Sequence, residues 1–170
     1  MPNDKNQKRL VISNQTFLHE SSLAQYVKWE ALSLTNFSDC TFEDIDFLGR
    51  VANFCKFENS EFKNSSFRKC QFAKCTFQNC QLVEVDLTRA EFRNCNFINC
   101  QFIESNLAAR DFFGCELFQV KFTNSNLNFI GAQSVKVSNL KQSIEIEESS
   151  NLEKILKDMN LIISTDPDEI

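Results

Sequence analysis

Residues 67–82 read FRKCQFAKCTFQNCQL. Phenylalanine or leucine falls at 67, 72, 77 and 82, with cysteine two places earlier at 70, 75 and 80. The beat continues in both directions without an insertion. Leu32, Phe37, Phe42, Phe47, Ala52, Phe57, Phe62, Phe67, Phe72, Phe77, Leu82, Leu87, Phe92, Phe97, Phe102, Leu107, Phe112, Leu117, Phe122, Leu127, Ala132 and Val137 share one register. All eight cysteines, Cys40, Cys55, Cys70, Cys75, Cys80, Cys95, Cys100 and Cys115, stand two residues before one of these centres.

A period of five fits neither regular element. On a helix, successive centres would rotate by roughly 140° and scatter around the cylinder; on one long strand they would alternate faces. A short extended piece followed by a bend satisfies the pattern. Residues two apart in an extended piece point the same way, so each centre and the small residue before it face inward together. The outward slots are mostly polar, and the second residue after the centre is Asn at 59, 64, 79, 94, 99 and 124, a residue that tolerates tight turns. A unit this small cannot bury its own apolar face and must stack on neighbouring turns of the chain, with its ends covered. The fold class is all-β, a β-solenoid.

Runs such as SEFKN, SSFRK, CQFAK, VDLTR and SNLAA resemble the pentapeptide-repeat family, whose units carry a small residue, a polar residue, Leu or Phe, then two polar residues. The resemblance spans roughly residues 32–138. It implies a right-handed quadrilateral β-helix with four units per coil and about five coils. The sequence departs from the family in preferring Cys at the small inward slot and Phe at the centre, and in placing Arg50 and Arg110 in inward slots.

The predicted organisation is an N-terminal cap with a short helix over 1–31, repeats over 32–140, and a capping helix with an acidic tail over 141–170. In the cap, Ser22 and Gln25 suggest a capping box ahead of Leu23, Tyr26, Val27 and Trp29. At the other end Ser150 and Glu153 suggest another, opening a helix over about 151–159 whose Leu152, Ile155, Leu156 and Met159 share one face. That face reads as a lid on the last coil. It also reads as a homodimer contact, which the resemblance supports because some family members pair through such a helix.

The chain of 170 residues is net −5, distributed as +1 over 1–30, −1 over 31–140 and −5 over 141–170. No apolar run approaches the roughly twenty residues of a membrane span, and the N-terminus lacks a signal-peptide core. The expectation is a cytoplasmic protein with no membrane partner.

No chemistry-bearing constellation emerges. Cysteine spacings that are multiples of five, with one His19, do not suit tetrahedral zinc. In a four-unit coil, Cys55, Cys75, Cys95 and Cys115 stack about 4.8 Å apart, wider than the roughly 3.8 Å between β-carbons that a disulfide prefers, so they read as reduced core thiols. No nucleophile has a base beside it, and Gly49, Gly114 and Gly131 are isolated. The expectation is a non-enzyme with no metal and no cofactor.

What remains is surface. Ile98, Phe113 and Phe118 occupy outward slots, with Val83 and Ile103 a smaller pair. Folded onto a twenty-residue coil, Glu43, Asp44, Asp46, Glu84, Asp86 and Glu104 gather into an acidic strip, and Arg50, Arg68, Lys69, Arg89 and Arg110 into a basic strip beside it. Two functions fit. One is a protein-interaction scaffold with an unidentified protein partner. The other, implied by resemblance to quinolone-resistance members of the family, is a DNA-mimicking binder of DNA gyrase or another type II topoisomerase. A coil region of net −1 argues for the first, since a duplex carries one charge per about 1.7 Å. Direct nucleic-acid binding is not expected, for want of a basic patch with stacking aromatics.

Overall fold

Each inward centre sits in a very short strand, as Phe77 does in Thr76–Gln78 and Leu82 in Gln81–Val83. The computed structural model describes residues 8–27, 31–108, 111–147 and 150–163. Strands stack in parallel, Phe57 beside Phe77 beside Phe97, so the chain returns to the same side every twenty residues. Three sheets and a file of single bridges form the four sides of a β-solenoid. The first sheet has eight strands, from Leu10–Ser13 to Ser143–Ile146. The second has seven, from Thr16–Phe17 to Ile162–Ile163, and the third seven, from Ala31–Ser33 to Ser150–Asn151. The fourth side is held by the bridges Asp46–Ser66–Asp86–Asn106–Asn126.

Every centre from Leu32 to Val137 is at most 4% exposed. In-register stacking lays ring upon ring: Phe37 on Phe57, Phe57 on Phe77 and Phe77 on Phe97 lie 5.2, 4.9 and 4.8 Å apart with planes within 16°. A second stack joins Phe42 and Phe62, and a third runs through Phe72, Phe92 and Phe112. Such pairs add about 0.5–1.5 kcal/mol each beyond burial.

The inward small slot has a job beyond size. Ser105 Oγ donates to the carbonyls of Leu82 and Ile103, both at 3.0 Å. Cys75 Sγ points at the equivalent carbonyls, Ala52 at 3.3 Å and Ala73 at 3.5 Å. Thiol and hydroxyl therefore fill one niche, and all eight cysteines are free and buried. Burial pushes the Cys70 thiol up to about 12.

Corners need left-handed backbone. Among the described residues twenty non-glycine positions have φ between 46° and 64°, and all but Asn160 stand second after a centre. For most L-residues this conformation costs roughly 1–2 kcal/mol, less for Asn and Asp. At the corner between the first and second sheets Asn supplies a further contact. Asn59, Asn79 and Asn99 each donate Nδ2 to the side-chain oxygen one coil nearer the N-terminus, the first to Asp39, at 3.0–3.3 Å.

The register reaches back further than Leu32. Ile12 and Phe17 are centres too, paired with Phe37 and Phe42. Those partners lie five residues beyond the usual return, and helix α1 (Glu20–Ala24) occupies the longer first coil. Its start differs from the expected box. His19 is the N-cap in extended backbone; the Ser22 hydroxyl accepts the His19 N–H at 3.4 Å and donates to the His19 carbonyl at 2.6 Å. Gln25 instead donates to the Ser22 carbonyl. The helix starts early enough to aim Leu23, fully buried, into the first coil.

At the other end Val135–Ser138 turns back antiparallel onto Ser143–Ile146, and Ile162–Ile163 returns parallel to Phe122–Thr123. Helix α2 (Leu152–Asp158) crosses between them with Leu152, Leu156 and Met159 buried and Ile155 packed against the core. A Glu153–Lys157 ion pair of 2.8 Å runs along it. Trp29, Arg110, the Ser150 side chain and the tail from 164 lie outside the described residues. Arg50 does enter the inward space, where Ala52 in place of a ring leaves room among Leu32, Phe47, Phe67 and Phe72. Among the described residues no helix is long and apolar enough to cross a membrane.

Candidate functional site

The four corners of the coil present four files of side chains, one residue per coil, with left-handed backbone at nearly every step. Between the second sheet and the fourth side the file runs Asp44, Asn64, Glu84, Glu104, Asn124. Asn64 and Asn124 show the residue this backbone prefers. Glu84 and Glu104 forgo that preference and stand exposed, as does Asp44. Glu43 lies beside them, opposite Lys63 in the next strand, and Lys63 is itself paired with Glu61 at 2.9 Å.

Asp46 and Asp86, the remaining acidic candidates, have a structural task that the five-residue beat does not reveal. Asp86 Oδ1 accepts the backbone N–H of Thr88 at 2.9 Å, and Asp46 Oδ1 that of Leu48 at 2.9 Å. Asn106 and Asn126 do the same for Ala108 and Asn128. Side chains thus close the bends of the fourth side, where single bridges replace strands. The signal was in the sequence as Asp46, Ser66, Asp86, Asn106 and Asn126 at twenty-residue spacing.

Opposite charge lies on the next corner. Arg68 reaches back to Asp86 at 3.7 Å, joining the two strips. Lys69 and Arg89 are exposed and have no ion-pair partner among the described residues. In local terms the acidic strip is dense. Its six carboxylates, Glu43 to Glu104, span three coil steps, about 14 Å at ~4.8 Å per step. That is one charge per roughly 2.4 Å, against about 1.7 Å for a duplex. Net charge over the whole coil averages this strip with its basic neighbour and conceals it.

The apolar candidates fall on three sheets. Ile98 and Phe118 are register neighbours on the first sheet and half-buried. Phe113 is on the third sheet, 41% exposed, between Arg93 and Gln133. Val83 and Ile103 are neighbours on the second. The three groups thus stand on separate faces, the third sheet adjoining the first at the corner after Phe113. The most exposed large apolar side chains were not among the candidates: Phe129, 86% exposed, and Leu140, 82%. For Phe129 the register already placed the residue outward, at the corner position after Leu127. Leu140 lies in the antiparallel turn, beyond the repeat, where the beat is silent. The α2 candidates face the last coil, so the lid role uses Leu152, Leu156 and Met159 within the chain itself. Among the described residues no three His, Cys, Asp or Glu side chains are grouped to hold a metal ion.

Residues 52–107 match the family model described as pentapeptide repeat region. A search of curated proteins returns no match. Among solved structures the chain is similar to trypsin-treated QnrB1, described as a plasmid-mediated fluoroquinolone resistance protein, at 15% identity over 77% of this chain and 73% of that one, with a TM-score of 0.46. It is also similar to Rfr23, a pentapeptide repeat protein from the cyanobacterium Cyanothece 51142, at 13% identity over 82% and 86%, TM-score 0.34. A third, HetL from the cyanobacterium Nostoc, involved in heterocyst differentiation regulation, shows 11% identity over 74% and 71%, TM-score 0.26.

Proposed function

We propose that this chain, which belongs to the pentapeptide-repeat family, is a non-enzymatic scaffold that binds a protein partner on the outer files of a rigid coil. A cytoplasmic setting suits it, since thiols stay reduced there and eight are buried free.

Of the two partners the sequence leaves open, an unidentified protein and a type II topoisomerase, the acidic file favours the second. The observation that carries this reading is Glu84 and Glu104, in line with Asp44, at a corner where Asn64 and Asn124 show the residue the backbone prefers. Together with Glu43, Asp46 and Asp86 beside them, these carboxylates bring the strip to a local charge density within a factor of about 1.5 of duplex DNA. A groove built to hold a duplex offers the complementary field.

The test is a DNA gyrase supercoiling assay with and without a fluoroquinolone. Asp44, Glu84 and Glu104 are replaced together by Asn, which keeps the corner backbone. Wild-type protein should alter supercoiling or relieve the drug, and the triple variant should do neither. No effect of the wild type at micromolar concentration rejects the topoisomerase reading.

A further inference from the structure

The corner between the fourth side and the third sheet carries the file Gly49, Lys69, Arg89 and Phe129, all with positive φ. At the Asn-rich corner the side chains bond from coil to coil; here none does so among the described residues. Phe129 is the extreme case. Its φ is 60°, which suits Gly or Asn, and its ring is 86% exposed, so neither backbone preference nor burial within the chain accounts for it. Phe54 makes the contrast. It also sits at a left-handed corner, but its ring carries the Lys74 ammonium at 4.9 Å and its carbonyl accepts from Arg9 at 2.6 Å.

Lys69 and Arg89 precede Phe129 on the same file, one coil step apart and exposed. Arg68 beside them is already engaged by Asp86. Two free cations one coil step apart, with a bare aromatic ring two steps beyond Arg89 and position 109 outside the described residues, lie on one line along the rod rather than across it. We propose that this corner is a docking rail for an extended acidic segment of a partner protein, which pairs with Lys69 and Arg89 and sets one apolar side chain on Phe129. Charge complementarity selects the acidic segment, and the long, exposed Lys69 and Arg89 side chains span the difference between a coil step of about 4.8 Å and the roughly 6.8 Å between same-face residues of an extended chain. The rail lies on a different corner from Asp44, Glu84 and Glu104 and does not depend on what binds there.

The probe is a fluorescein-labelled peptide of alternating Glu and Ser with one central Trp, followed by fluorescence anisotropy against the full chain. Phe129→Asn should weaken binding by about tenfold, as should Lys69→Asn combined with Arg89→Asn, and added salt should weaken it further. All three substitutions introduce the residue the corner backbone prefers, so the melting temperature should hold or rise while affinity falls. A merely structural Phe129 cannot give that combination. Glu84→Asn with Glu104→Asn removes repulsion from the neighbouring strip and should not weaken peptide binding, separating this rail from the acidic file. No measurable binding, equal binding by wild type and the Phe129 variant, or tighter binding of single-stranded oligo-dT than of the peptide would each overturn the proposal.

Discussion

Removing one ring from the middle of the first stack tests the physical basis of the fold. Phe77 is 2% exposed and lies between Phe57 at 4.9 Å and Phe97 at 4.8 Å, with edge contacts to Phe72 at 5.7 Å and Phe92 at 6.3 Å. Phe77→Ala loses this burial and opens a hole that cannot close, because the strands on either side are fixed by their hydrogen-bonded spacing. Buried Phe→Ala changes cost about 3–5 kcal/mol. Five ring contacts, counting the tilted one to Phe62 at 6.3 Å, at about 0.5–1.5 kcal/mol each put Phe77 near the top, at about 5 kcal/mol. Phe77→Leu should recover most of it, since Leu82 and Leu117 fill equivalent centres. The assay is urea denaturation followed by circular dichroism, with Phe129→Ala as the exposed control, expected within about 0.5 kcal/mol. A loss at Phe77 below about 2 kcal/mol, or one matched by the control, refutes the stacked-core argument.

Other consequences are as direct. The Cys70 thiol has its pKa raised by burial from 9.0 to about 12, so its contribution is complete below pH 9 and is lost as pH rises toward 12, at about 1.4 kcal/mol per pH unit. Cys70→Ala should therefore show a shallower alkaline loss of stability in urea melts at about pH 9 and about pH 10; equal slopes contradict the assignment. Asn79→Ala removes both its ladder bonds, to Asn59 and from Asn99, and forces Ala into left-handed backbone, for a cost of about 1–2 kcal/mol. Asn79→Gly should cost less, and the reverse order would show that corner geometry is not limiting. Leu156→Asp places a charge where α2 is fully buried and should cost roughly 3–5 kcal/mol; an unchanged denaturation midpoint would mean that α2 is not the lid.

The repeats were legible because their information is local: two inward positions in every five, and a corner that asks for Asn. The same rule contains Ile12 and Phe17, but Ser22 interrupts the beat before Leu32 and hid them. The caps are a different matter. Whether the chain after Val137 turns back antiparallel, and whether Ile162 and Ile163 return beside Phe122 and Thr123, depends on contacts across tens of residues, which periodicity does not encode. His19 displaced Ser22 as the N-cap because the position of Leu23 is dictated by the coil it covers. Of the candidate surface, register assigns Asp44, Glu84 and Glu104 to one corner file and Lys69 and Arg89 to another. It did not disclose that Asp46 and Asp86 close the bends of the fourth side. Phe129 was in the right slot but drew no notice, because exposure matters only when nothing nearby covers the ring.

A return every twenty residues also sets the rules by which such a chain can lengthen. Inserting twenty residues adds one storey and leaves every downstream side chain on its own wall, moved along the axis by about 4.8 Å. Inserting five turns all that follows by a quarter revolution, carrying acidic side chains to a wall that held neutral or basic ones. The first coil shows how five surplus residues can nevertheless be absorbed: Glu20–Ala24 coils on itself outside the wall, and Phe17 still meets Phe42. Copy number and helical detours are thus two separate means of change, one adjusting reach, the other protecting orientation.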